Sequence, residues 1–118
     1  MHNFKNIIAW QKARALVKEV YLLSKRLPKE ELYDLVSQIR RAVISIPSNI
    51  AEGSGRGTNK EFSRFLDIAI ASSYEMETQL ILSFDLKYIS EEDLNLITEK
   101  TNEVQKLIHG FQKTLKTE

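Results

Sequence analysis

Apolar residues recur every three or four positions along nearly the whole chain, and that spacing predicts helices rather than strands. From Ile7 to Leu27, the positions Ala9, Ala13, Leu16, Val20, Leu23 and Leu27 form one stripe, widened by Trp10 and Val17. Pro28 closes this segment, because the residue before a proline is pushed out of helical backbone. A second helix is predicted from Lys29 to Glu52 on Leu32, Leu35, Val36, Ile39, Ala42, Val43, Ile46 and Ile50. Pro28 suits its first position, and Glu30 and Glu31 suit its positive end. Pro47 interrupts the pattern without ending it. It deletes one backbone hydrogen bond and is expected to kink the helix near Val43.

The third helix opens on a capping box, Thr58 with Glu61. It runs through Phe62, Phe65, Leu66, Ala69, Ser73, Met76, Leu80 and Phe84 to about Lys87. Its middle, AIASSYE, is rich in small side chains that admit a close neighbour. The fourth opens on the cap signal Ser90 to Asp93. It continues through Leu94, Ile97, Thr101, Val104, Ile108, Phe111 and Leu115, an alternating three-four seam. Gly110 weakens it by roughly 1 kcal/mol relative to alanine. Connections of about two to six residues suit antiparallel neighbours. The expected fold is therefore all-α: an antiparallel up-down-up-down four-helix bundle, helix 2 kinked at Pro47, with residues 1–118 as a single domain.

Composition narrows the chemistry. There is no cysteine, so disulfides, thiolate metal sites and a cysteine nucleophile are excluded. That usage fits a cytoplasmic location, and neither a membrane span nor a signal peptide is expected. His2 and His109 lack second ligands at metal-binding spacing, and no serine has a visible base and orienting partner. No cofactor, metal centre or catalytic residue is expected, and the chain reads as non-enzymatic. The glycine run SIPSNIAEGSGRGTNKEF fails the phosphate-loop spacing. It reads instead as a helix stop, with Gly53 left-handed and Gly55 and Gly57 in the turn. An anion could still sit at the start of helix 3 beside Arg56 and Lys60.

Two polar features remain. On helix 2, Arg41, Ser45, Ser48 or Asn49, and Glu52 share one face, flanked by Gln38 and Arg40. On helix 3, Glu75, Glu77 and Gln79 cluster among apolar residues. Buried charges need partners, so Arg40 or Arg41 against Glu75 or Glu77 is the expected cross-helix match. The same residues could instead form a binding face. Arg41→Ala should cost about 3–5 kcal/mol if a buried carboxylate is stranded, and within ~0.5 kcal/mol if Arg41 is at the surface. The net charge of +1 is unevenly spread: residues 1–60 carry 11 Lys/Arg against 5 Asp/Glu, residues 61–118 carry 6 against 11. Lys5, Lys12, Arg14, Lys18, Lys25 and Arg26 crowd the first helix around Trp10. That combination suits RNA phosphates and base stacking, and a solvated helix face is the alternative.

The segments FKNIIAWQKA, SQIRRA, SIPSNIAEG and ETQL closely resemble the four-helix bundle proteins of the 23S rRNA intervening-sequence family, whose relatives include accessory proteins of diversity-generating retroelements. The resemblance covers nearly the entire chain. It implies a bacterial, cytosolic protein without established enzymatic activity, forming ring-like homo-oligomers, often pentamers. It places the motif on Gln38, Arg40, Arg41, Pro47, Asn49, Glu52, Gly53, Glu75, Glu77, Thr78 and Gln79. The retroelement relatives bind nucleic acid, so RNA or a nucleoprotein is the implied partner. A protein–protein scaffold ring is the alternative, and a small hydrolase built on Glu75 or Glu77 is the weakest reading.

Overall fold

The structure, a computed structural model, describes residues 2–116. It contains four helices: α1 (Ile8–Ser24), α2 (Leu35–Ser54), α3 (Asn59–Asp85) and α4 (Glu91–Leu115). Single 3₁₀ turns precede α1 (Phe4–Asn6) and α2 (Lys29–Glu31). No strand occurs among the described residues.

Local chemistry sets most of the boundaries. Thr58 Oγ1 accepts from the Glu61 amide at 3.1 Å and Ser90 Oγ from the Asp93 amide at 3.0 Å, so both cap signals form. α3 stops where Lys87 turns left-handed (φ 67°). There the Lys87 amide donates to the Phe84 carbonyl and the Tyr88 amide to that of Ser83, which satisfies two end carbonyls.

Three boundaries differ from expectation. α1 ends at Ser24, and Leu27 reaches the core from a turn beyond it. α2 begins at Leu35 rather than Lys29. The turn after Pro28 is 3₁₀, and Asp34 (φ −125°, ψ −100°) breaks the path into the helix. Leu32, which seemed to continue the stripe, is exposed. Gly53 is not a left-handed stop: it lies inside α2, which runs on through Pro47 to Ser54, and no described glycine has positive φ.

Gly53 is present for space. A Cβ there would lie 2.7 Å from Phe65 Cβ and 2.8 Å from Phe62 Cδ1, so only glycine lets α3 approach this closely.

Each helix packs on its sequence neighbours, and α1 also packs on α4. The contacts run in opposite numerical order. Arg26 meets Asp93 and Glu19 meets Lys100 across α1 and α4. Ser45 meets Ser72 and Gly53 approaches Phe65 across α2 and α3. Ser63 and Ser73 of α3 accept from Gln112 and Gln105 of α4. The core between them holds Leu16, Val20, Ile39, Val43, Ile46, Ile50, Phe62, Leu66, Met76, Leu80, Val104 and Ile108, all essentially inaccessible. Burying each such side chain contributes about 1.5–3 kcal/mol. Thr101, the polar member of the α4 seam, is tolerated because its hydroxyl donates to the Ile97 carbonyl at 2.7 Å.

Candidate functional site

The order of the helices turns the uneven charge of the sequence into an uneven surface. α1 and α2 together hold five cations and two carboxylates; α3 and α4 hold five cations and ten carboxylates. Both carboxylates of the first pair are engaged. Glu19 is turned toward α4, where it is bonded by Lys100, and Glu52 lies 4.0 Å from Arg56.

The seam between α1 and α2 is consequently basic. A groove of about 370 Å³ runs along it, lined by Trp10, Arg14, Val17, Ile44, Pro47, Ser48 and Ala51. No carboxylate lines it. Trp10 is held edge-to-face by Phe4, ring centroids 5.1 Å apart, and the Arg14 guanidinium lies 5.7 Å from its centroid. Farther along, Arg40 lies 4.7 Å from the centroid of Tyr21 and donates through Nε to Ser24 Oγ at 2.9 Å. Lys18 and Lys25 are exposed, each one turn beyond a groove-side residue, Arg14 and Tyr21 respectively. Arg41 is exposed and precedes Ile44 by three residues and Ser48 by seven, which puts it on their row.

The structure divides the sequence candidates. Arg14, Lys18 and Lys25 share the α1–α2 seam, and Arg40 and Arg41 join them there. Lys12 shares the α4-facing side of α1 with Glu19, two turns away, and Arg26 is paired with Asp93. Lys5 is exposed in the turn before α1, its carbonyl bonded by Gln11 Nε2. Arg56 and Lys60 lie at the start of α3. Arg56 stacks on Phe65 at 4.6 Å, and the hollow around Lys60 mixes Arg64 and Lys116 with Glu61 and Asp67.

The expected ion pairs of Arg40 and Arg41 with Glu75 and Glu77 do not form. Arg40 faces α1, Arg41 and Glu75 are exposed, and Glu77 accepts from Gln105 of α4 at 2.5 Å. One residue along a helix is a rotation of about 100°, which is enough to send neighbouring motif positions to different partners. What joins α2 to α3 is neutral: Ser45 bonds Ser72 at 2.9 Å, and Asn49 Nδ2 donates to Ser45 Oγ and its carbonyl at 2.8 Å. Gln38 bonds Asp34 within its own segment.

Gln79 follows Ser72 by two turns on the α2-facing side of α3. It is 6% exposed, and its Oε1 has no hydrogen-bond partner. Ile68, Leu82 and Leu86 flank this row and are 40–54% exposed.

Sequence reasoning missed Ile44 and read Ser48 as part of a polar face and Pro47 as a kink and motif position rather than as groove residues, although the three-four spacing of Arg41, Ile44 and Ser48 carries that signal. His2, named there only as lacking metal partners, meets Phe62 and Phe111 edge-to-face. His109 is exposed. Among the described residues, no cluster of three or more His, Asp or Glu is placed to hold a metal, and no helix is long and apolar enough to cross a membrane.

Comparison with known proteins fits this architecture. A family model described as 23S rRNA-intervening sequence protein matches residues 5–110. Among solved structures, a protein with unknown function from the S23 ribosomal protein family of Bacteroides thetaiotaomicron superimposes with a TM-score of 0.81 at 26% identity. The match covers 89% of this chain and 98% of that one. No curated protein matches the chain.

Proposed function

The chain belongs to the 23S rRNA-intervening sequence protein family, and from that premise we propose that it is a non-catalytic, self-associating binding module for RNA or a nucleoprotein. The observation that carries this reading is the α1–α2 seam: a groove lined by Arg14 and by no carboxylate, with Lys18 and Arg41 at helical spacing beside it and Lys25 and Arg40 farther along the same seam. A polyanion gains from such a row by releasing its counterions. The acidic α3 and α4 turn that gain to one side of the bundle. Catalysis has no comparable support, since Glu75 is exposed without a convergent polar group and Glu77 is held by Gln105.

Self-association has separate support on α3. Leu82 and Leu86 form an exposed apolar patch beside buried Gln79, with Ile68 farther along the same side of α3 beyond Glu75. A ring of copies, often five by family resemblance, would cover that patch. The same surface would serve a scaffold without nucleic acid.

A mobility-shift titration of structured and unstructured RNA across a salt series tests the proposal. Affinity should fall steeply with salt, and the combined charge reversal Arg14→Glu, Lys18→Glu and Arg41→Glu should abolish it while Lys60→Glu leaves it unchanged. Undetectable binding at low salt, where phosphate contacts are strongest, rules out RNA. A stable oligomer by light scattering in the same samples would then leave the scaffold.

A further inference from the structure

We infer that the α1–α2 groove seats an unpaired nucleobase, making the module selective for single-stranded over duplex RNA; this rests on the RNA-binding reading above. The groove combines two kinds of surface that a bare phosphate site does not need. Its floor is apolar: Trp10, Val17, Ile44, Pro47 and Ala51, with Ile44 left 42% exposed. Its rim is cationic, with Arg14 in the lining and Lys18 and Arg41 at helical spacing beside it. The volume of about 370 Å³ falls at the lower end of the ~300–1,000 Å³ typical of ligand sites.

The chemistry selects the occupant. An apolar floor with Arg14 in its lining and further cations at helical spacing beside it suits a ligand that is flat and apolar on its face and anionic along its edge. An unstacked nucleotide has that form, with its base on the floor and its phosphates on the rim. In a duplex the base faces are stacked inside the helix and only backbone is offered, so the floor would stay empty. Trp10 is pre-positioned for the contact, since Phe4 meets its ring edge-to-face and Arg14 lies over the ring.

Trp10 is the only tryptophan in the chain, so its emission reports on the groove directly. The full-length protein is titrated at low salt with an unstructured RNA oligonucleotide, a duplex of the same length, an abasic ribose-phosphate strand and an acidic peptide. The unstructured strand is expected to quench Trp10 and to bind at least tenfold tighter than the abasic strand. Ile44→Glu or Ser48→Asp, both exposed positions, should remove the quenching and at least tenfold of affinity, with the circular dichroism melt unchanged. RNA binding that leaves Trp10 emission and the Ile44→Glu protein unaffected, or equal quenching by the duplex, overturns the base seat and leaves the RNA-binding reading standing. Failure of every nucleic acid to bind overturns both. Quenching by the acidic peptide alone assigns the groove to a protein partner and overturns the inference.

Discussion

Replacing Gly53 with alanine tests the packing of the bundle at one atom. Within a helix the change alone should stabilise by about 1 kcal/mol, because alanine loses less backbone freedom. At Gly53 the added Cβ would lie 2.7 Å from Phe65 Cβ and 2.8 Å from Phe62 Cδ1, whereas carbon atoms pack at about 3.5–4.0 Å. Roughly an ångström must be recovered. Phe65 Cβ is fixed to its backbone, so α2 and α3 themselves must separate; a rotamer change cannot relieve the overlap. Overpacking of this kind costs about 1–3 kcal/mol. A clash against a main-chain-fixed atom belongs at the upper end, leaving a net loss of about 2 kcal/mol for Gly53→Ala. Gly110 is the control: it is exposed inside α4 with nothing within 4 Å of the added carbon. Gly110→Ala should therefore gain about 1 kcal/mol. Urea denaturation followed by circular dichroism, at one protein concentration to hold any association constant, gives both values. A Gly53→Ala protein as stable as wild type refutes the close approach of the two helices.

Other substitutions probe single features. Lys87 occupies a left-handed position, so Lys87→Gly should raise stability by about 1 kcal/mol, read from the same urea curves. Arg41→Ala should change stability by less than ~0.5 kcal/mol while weakening RNA binding, which separates it from a buried ion pair. Gln79→Met removes an unsatisfied buried acceptor and should be neutral or stabilising by about 1 kcal/mol. A loss of stability would show that Oε1 has a partner within the bundle, such as an enclosed water. Tyr88 donates to Glu31 at 2.8 Å, which, with desolvation and the charge of Glu31, raises its pKa above the ordinary value. The bond holds below the usual tyrosine range and is lost as pH rises through the raised value. Glu31→Gln should move the last tyrosine step of an ultraviolet titration down, and an unchanged curve would refute the pairing.

The four helices were legible because their stripes are long and their caps are local: Thr58 and Ser90 each sit three residues from the amide they accept. The errors arose where distant residues decide the outcome. Gly53 looked like a helix stop because two more glycines follow it. Its true reason, the rings of Phe62 and Phe65, depends on how α3 folds back. Leu32 kept the apolar spacing across a break that Asp34 introduces in the backbone. The polar motif was recognised as a unit, but neither the turning of Arg40 toward Tyr21 nor the capture of Glu77 by Gln105 can be read without the rotation of each helix about its own axis. The groove needed both α1 and α2 in place before Trp10 and Ile44 became neighbours.

The opposed charges of the two helix pairs give the bundle a handle on orientation as well as affinity. A molecule with cations along α1–α2 and carboxylates along α3–α4 experiences a torque as it nears a phosphate backbone, and it arrives groove first. Its far side then repels any second strand. On the proposed RNA-binding reading, each copy would be limited to one strand, and an assembly of copies would hold its nucleic acid on a single continuous track, with the acidic helices facing away from it.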